Sequence, residues 1–302
     1  MSGIPSHANM NRSIAVRLAG TIAREGLFLL LAMVYILPVW WVVASALRPA
    51  SSLYQYASPL TWRTFVPSSP TLSNIMGIFS KLDFGRAIAN SALVSGAAVA
   101  LGVVVNSMAG FALAKFEFPG RSLVFLAVLV AFIAPFDAIV IPLHLVVSRM
   151  GFLNTRAALV LPAVGNGLAI FLFKQFYEEI PSEIIEAARV DGASWFCTFW
   201  RIVMPMSIPA AATVVVMLFM FQWNSLFWPL VAAFSSKYRV VQTAIAMQIT
   251  ADEAHWAYLF ASAAVGSLPP VALFLLLQKH YIRGIAGGGS RSETAGRDGV
   301  DR

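Results

Sequence analysis

The sequence of 302 residues contains one cysteine, Cys197, so no disulfide can form within the chain and no multi-cysteine metal site can be built. Charge is scarce as well, at 12% of residues, against roughly a quarter in soluble domains. The four histidines, His7, His144, His255 and His280, are scattered without metal-ligand spacing. No glycine-rich phosphate loop ending in Gly-Lys-Ser or Gly-Lys-Thr occurs, which removes that route to nucleotide hydrolysis. His-Glu-x-x-His is absent too, and with it the zinc-protease pattern. A membrane-embedded enzyme would need a paired acid, or a nucleophile with its base, and neither can be picked out.

Apolar residues fill the chain instead, at 59% of the total and a mean hydropathy of +0.75. The solvent such a chain is built for is lipid. A net charge of +7 does not point to nucleic acid, because the basic residues sit at the ends of apolar runs rather than on one face. The runs cover about residues 26–47, 87–114, 122–148, 157–173, 209–230 and 257–277. At 1.5 Å per helical residue, about 20 residues cross a hydrocarbon core of roughly 30 Å. The pattern predicts an all-α polytopic membrane fold with six transmembrane helices. Ala44-Ser45-Ala46 imitates a signal-peptidase site, but the run is longer than a signal core and more runs follow, so it reads as an anchor.

Between the runs, residues 1–25 read as a partly disordered basic tail and residues 48–86 as a proline-containing outer segment with no core of its own. The second and third runs exceed the length needed, so tilt or breakage is expected, with Pro135 and Pro142 as break points. A polar loop with Lys237, Arg239, Asp252 and Glu253 separates the last two runs, and residues 284–302 read as a flexible tail. With both termini in the cytoplasm, 13 of the 21 Lys and Arg residues fall inside and eight outside, the sign the positive-inside rule requires.

The densest acidic stretch, about residues 178–205, lies between the fourth and fifth runs. Pro181 ends what precedes it, Ser182 is suited to cap a helix over 183–190, and Glu183 complements the helix dipole. Gly192 is suited to the left-handed stop and Ser194 to a second cap, giving a helix-turn-helix in the cytoplasm. Ile184, Ala187 and Ala188 are placed on one face of the first helix, where the small alanines admit a partner's backbone.

Glu186-Ala187-Ala188, then three residues, Gly192, nine residues, Ile202, one residue, Met204 and Pro205 resembles the EAA loop of permease subunits in binding-protein-dependent ABC importers. Met204 stands where that pattern has Leu, a volume-conserving exchange. Leu153-Asn154-Thr155, Phe118-Pro119-Gly120-Arg121, Trp223-Asn224, Trp228-Pro229-Leu230 and Tyr281-Ile282-Arg283-Gly284 resemble its carbohydrate-uptake branch. The resemblance covers most of residues 26–287 and implies a transmembrane domain over about 26–283 in a bacterial inner membrane. It implies that Glu183, Glu186, Ala187, Ala188, Asp191, Gly192, Ile202 and Pro205 form or shape the surface that couples to an ATP-binding cassette ATPase dimer. It further implies a second homologous permease, an extracytoplasmic substrate-binding protein, surrounding lipid, and ATP and Mg held by the ATPase rather than by this chain. The implied function is one half of an uptake pathway for a sugar or sugar-like solute.

Polar side chains inside the apolar runs are pathway candidates, because they are costly in hydrocarbon unless paired or facing water. Asn90, Asn106, Asp137, Asn166, Gln222 and Asn224 qualify, with Trp223 able to stack on a pyranose or to serve as a belt or core residue. Trp40, Trp41, Trp228 and Trp256 read as interfacial belt residues. Asp137 stays open between a pathway role and pairing with His144 or a partner's cation. The residues alone also leave room for an ion- or proton-coupled secondary transporter with Asp137 as its coupling acid.

Overall fold

The computed structural model describes residues 7–53, 55, 61–249 and 255–295, with side chains over 20–53, 55, 61–249 and 255–278. Among these residues the regular structure is helical. The helices are α1 (His7–Ala46), α2 (Trp62–Phe65), α3 (Ser73–Lys81), α4 (Phe84–Lys115), α5 (Arg121–Ile133), α6 (Phe136–Arg149), α7 (Arg156–Val164) and α8 (Gly167–Glu178). They continue as α9 (Ser182–Val190), α10 (Trp195–Thr198), a π-turn over Phe199–Val203, α11 (Met204–Met206), α12 (Ile208–Trp223), α13 (Phe227–Ala232), α14 (Val241–Ala246) and α15 (Trp256–Ala295). Four stretches are long and apolar enough to cross a membrane: Gly20–Ala46, Phe84–Lys115, Arg156–Glu178 and Trp256–Gln278. The count reaches six if the bent pairs α5/α6 (102°) and α10–α11/α12 (81°) each form one span.

The chain forms two compact units. The first comprises residues 1–78 and 251–265. Here α1 begins at His7, so the basic stretch expected to be a tail is helical where described; residues 1–6 lie outside the described residues. The segment after α1 has a nucleus of its own, contrary to expectation. Arg48 is buried and donates to the carbonyls of Arg63 and of Thr64 (2.6 Å for the latter), while Asn74 Nδ2 donates to Ala46 O (3.0 Å) and Arg48 O (2.6 Å). Trp40 is half exposed with its indole bonded to Phe65 O (2.9 Å), and Trp41 packs edge-on against Phe260.

The second unit, residues 79–250 and 266–302, is organised around α4. Its small residues are the reason: a Cβ on Gly110 would come within 2.7 Å of Phe173 Cβ and 3.0 Å of Lys174 N, so α8 approaches the α4 backbone as only glycine allows. One apolar cluster, including Phe111, Phe173, Tyr177, Phe199 and Leu218, joins α4 to α8, α9 and α12. A second, including Val94, Leu159, Trp228 and Val240, joins α4 to α7 and α13.

Several expected spans are broken. The third breaks at Ala134-Pro135, as one of the two prolines predicted, whereas α6 runs through Pro142. The fourth extends to Glu178 and is interrupted at Gly165-Asn166, both in extended backbone. The fifth stops at Trp223 rather than Leu230, since the chain turns at Asn224 before α13. The loop after it is not simply polar: Val241 and Thr243 of α14 are buried, and Val241 N–H donates to Ser91 Oγ (2.8 Å). Asp252 and Glu253 lie outside the described residues. The stretch expected as a flexible tail continues α15 to Ala295; residues 296–302 lie outside the described residues.

Candidate functional site

Two places carry most of the predicted site residues. At the first, α9 ends in a turn whose hydrogen bonds are local. Gly192 takes φ +86°, its N–H donates to Arg189 O (3.1 Å), and Ala193 N–H donates to Ala188 O (3.0 Å). These two bonds are the Schellman pairing, which closes the last carbonyls of a helix and needs a left-handed residue between them. Ser194 then caps the next helix, its Oγ accepting from Cys197 N–H (3.2 Å). Ser182, expected as the first cap, is instead the first helical residue after Pro181 and makes no capping bond. Pro205 has no N–H for Arg201 O, and the backbone ahead widens into the π-turn, with Met204 N–H reaching Phe199 O.

The face of α9 differs from the one expected. Ile185 and Ala188 are buried against the body of the unit, while Ile184 and Ala187 are exposed and Val190 is 87% exposed. Ala188 therefore seats the helix, and the outward stripe is Ile184, Ala187 and Val190, flanked by exposed Glu183, Glu186 and Asp191. Hydrophobic spacing alone could not choose between these faces, because apolar residues occupy both. Ile202 is half-buried and Pro205 exposed. An aromatic set anchors the turn: Trp195 meets Phe116 edge-on (4.7 Å between centroids), and Arg189 lies over the Trp195 ring (4.9 Å). Lys115 Nζ holds Ile180 O (2.7 Å), just before α9, and Glu178 pairs with Lys174 (2.6 Å) and Arg121 (3.6 Å).

At the second place the three broken helices meet. A cavity of about 430 Å³ is lined by Ala134 at the first break, Asn166 at the second and Ser225 at the third, with Gln222, Phe132 and Trp228 among its other walls. Among the described residues no lining side chain is charged. Of the pathway candidates, Asn166 and Gln222 are both here; Ser225 and Trp228 are lining residues outside that set. The sequence did hold a signal for the break, an asparagine between Gly165 and Gly167 within an apolar run.

The other candidates lie elsewhere. Asn90 is buried, donating to Lys237 O (2.9 Å) and Arg239 O (3.0 Å) and accepting from Arg156 (3.0 Å). Asn106 is fully buried and its amide is occupied within the chain. Asn224 is exposed, bonded to Met220 O (2.9 Å) and Gln242 (3.3 Å). Asp137 is exposed in the first turn of α6 and forms no ion pair with His144, which lines a separate apolar groove with Phe227 and Val231.

Two tryptophans have a use that residue type alone did not reveal. Pro162 inside α7 cannot donate to Ala158 O, and Trp228 Nε1–H does so instead (2.9 Å). Pro270 inside α15 likewise frees Gly266 O, which accepts from Trp223 Nε1–H (3.0 Å). A buried carbonyl left without a donor costs roughly 1–3 kcal/mol, so the indole N–H replaces the missing peptide donor. Trp223 is thus buried core, stacked on Phe219, and Trp228 is buried rather than a belt residue.

Residues 102–287 match the family described as binding-protein-dependent transport system inner membrane component. The arabinooligosaccharides transport system permease protein AraQ of Halalkalibacterium halodurans is 30% identical over 263 residues, covering 87% of this chain and 93% of that protein. The sn-glycerol-3-phosphate transport system permease protein UgpE of Shigella flexneri is 31% identical over 239 residues (76% and 84%). The lactose transport system permease protein LacG of Rhizobium radiobacter is 27% identical over 258 residues (85% and 92%). A chain in the crystal structure of a bacterial ABC transporter involved in the import of the acidic polysaccharide alginate shares the fold, with a TM-score of 0.75 at 19% identity over 93% of this chain and 100% of that one.

Proposed function

The chain belongs to the inner-membrane components of binding-protein-dependent transport systems, and from that premise we propose that it forms half of an ATP-driven uptake pathway for a sugar or sugar-like solute. It is a multi-pass membrane permease subunit. The observation that carries the solute reading is the cavity at the three helix breaks. Its polar lining is supplied by two amides and the Ser225 hydroxyl: Asn166 keeps Nδ2 to donate, and Gln222, whose Nε2 donates to Leu159 O (3.4 Å), keeps Oε1 to accept from sugar hydroxyls, beside aromatic rings. Broken helices are how a membrane protein opens backbone and polar groups onto a wet cavity.

The work is done by partners. An ATP-binding cassette ATPase dimer, holding ATP and Mg, docks on the exposed stripe of α9 through Ile184, Ala187 and Val190, with Glu183, Glu186 and Asp191 as its polar rim. Gly192 sets the angle of the turn, Ala188 seats it, and Ile202 and Pro205 shape the π-turn that leads into α12. A second, homologous but different permease completes the pathway, a substrate-binding protein delivers the solute from outside, lipid surrounds the spans, and both termini face the cytoplasm. The names of the relatives, for arabinooligosaccharides and lactose, support a carbohydrate as the solute.

The test is purification of the solubilised chain with its partners, followed by uptake of radiolabelled lactose and arabinotriose into proteoliposomes. Expected are a co-purifying ATPase whose activity depends on this chain and ATP-dependent uptake of one of the two sugars. A chain that purifies alone and moves solute down a proton gradient would overturn the reading in favour of a secondary transporter built on Asp137.

A further inference from the structure

The side-chain amide of Asn106 occupies a place where a peptide group is missing. Across the Gly165-Asn166 break, Val164 ends α7 with a carbonyl that the helix no longer pairs, and Asn166 opens α8 with an N–H in the same condition. Asn106 Nδ2 donates to Val164 O (2.8 Å), and its Oδ1 accepts from Asn166 N–H (2.9 Å). The second Nδ2 hydrogen goes to Gly102 O (2.6 Å), on the preceding turn of α4. One fully buried carboxamide thereby carries the hydrogen-bond ladder over the gap and ties both half-helices to α4.

The consequence reaches the cavity. Asn166 spends its Oδ1 on the N–H of Ala169 (3.0 Å), as the cap of α8. With its backbone N–H held by Asn106, its carbonyl accepting from Ile170 N–H (3.0 Å) and its Oδ1 held by the cap, the remaining polar group is Nδ2, which forms no hydrogen bond with the described residues. Asn166 lines the cavity. We propose that Asn106 is a positioning residue for the solute: it fixes the break so that Asn166 presents its amide N–H groups to a hydroxyl or other oxygen acceptor in the cavity. This rests on the permease reading given above and assigns Asn106 an indirect part in it, in place of direct contact with the solute.

The peptide-replacement geometry separates this role from general packing. Asn106→Asp keeps an acceptor for Asn166 N–H and loses the donors to Val164 O and Gly102 O; Asn106→Ala loses all three. Asn166→Ala leaves Asn106 in place and removes the presented amide together with the cap on Ala169 N–H, whereas Asn166→Asp keeps the cap acceptor and removes the amide, so the same KM rise should appear in both. In proteoliposomes containing the assembled transporter, KM for whichever of lactose or arabinotriose the wild type takes up should rise about fivefold to tenfold in Asn106→Asp and in Asn166→Ala. The double variant should be no worse than the worse single, because both act through one group. Unchanged KM in Asn166→Ala overturns the proposal even where the Asn106 variants fail to assemble, and so do effects that multiply in the double variant. Hydrogen exchange of the solubilised full chain supplies a second readout that needs no solute: the amide of Asn166 should exchange at least tenfold faster in Asn106→Ala than in Asn106→Asp. Equal exchange would remove the pin. A wild-type complex that takes up neither sugar would count against the solute reading alone, and the exchange measurement would still decide on Asn106.

Discussion

The α9 turn and the cavity of helix breaks are built by opposite means. At the turn, the bonds that set the geometry join residues three to five apart: Gly192 to Arg189, Ala193 to Ala188, Ser194 to Cys197. At the breaks, the deciding bonds join residues far apart in sequence, 58 for Asn106 to Val164, 43 for Trp223 to Gly266 and 70 for Trp228 to Ala158. The exposed turn has water available for its spare backbone groups, so short-range capping suffices. At the breaks the freed carbonyls of Val164, Gly266 and Ala158 are met by buried side chains, so each takes its donor from another helix.

If the turn is local, it should be broken by local backbone strain. Gly192→Val places a β-branched residue at φ +86° in open space, with nothing within 4 Å of the added Cβ, so strain and not collision is what it adds. A left-handed non-glycine residue costs roughly 1–2 kcal/mol, enough to re-aim α9, and stimulation of the partner ATPase should fall at least tenfold while the chain still inserts. Gly192→Asn, which tolerates the left-handed region, should retain most of it. Wild-type stimulation in the valine variant would show that the turn's conformation is not what couples.

The breaks should instead respond to paired changes in distant helices. Trp228→Phe leaves Ala158 O unpaired and should lower stability by about 1–3 kcal/mol, read as a lowered thermal midpoint of the solubilised protein. In a Pro162→Ala background the helix regains its own donor for Ala158 O, and the same Trp228→Phe change should cost much less. Equal losses in the two backgrounds would reject peptide replacement as the use of that indole. The smallest effect returns to the turn: Ser194→Ala removes one cap and should cost about 1 kcal/mol, with the loss confined to exchange protection around α10.

The same contrast explains what could be read in advance. The break at Pro135, the left-handed Gly192 and the Ser194 cap each follow from the residue at that position and its immediate neighbours. The inward face of α9 did not, since Ile184 and Ile185 are equally apolar and only the packed body selects Ile185. Trp228, expected in the interfacial belt, is buried, and Trp223, open between stacking and a belt or core place, is core, for a related reason. Residue type makes Trp223 and Trp228 amphipathic, but which carbonyl an indole meets depends on a proline in another helix. Asp137 was singled out by its charge within an apolar run; the break places it in the exposed first turn of α6, where a carboxylate complements the helix N-terminus.

By itself, then, the sequence determined the helical class, the apolar stretches and the turn between α9 and α10, because hydropathy, proline, glycine and capping act over a few residues. The tertiary structure decided which polar groups face the cavity and which are consumed in holding it. That choice depends on matching each backbone group orphaned at a break with a donor or acceptor from a distant helix, and no single segment of the chain contains both halves of the match.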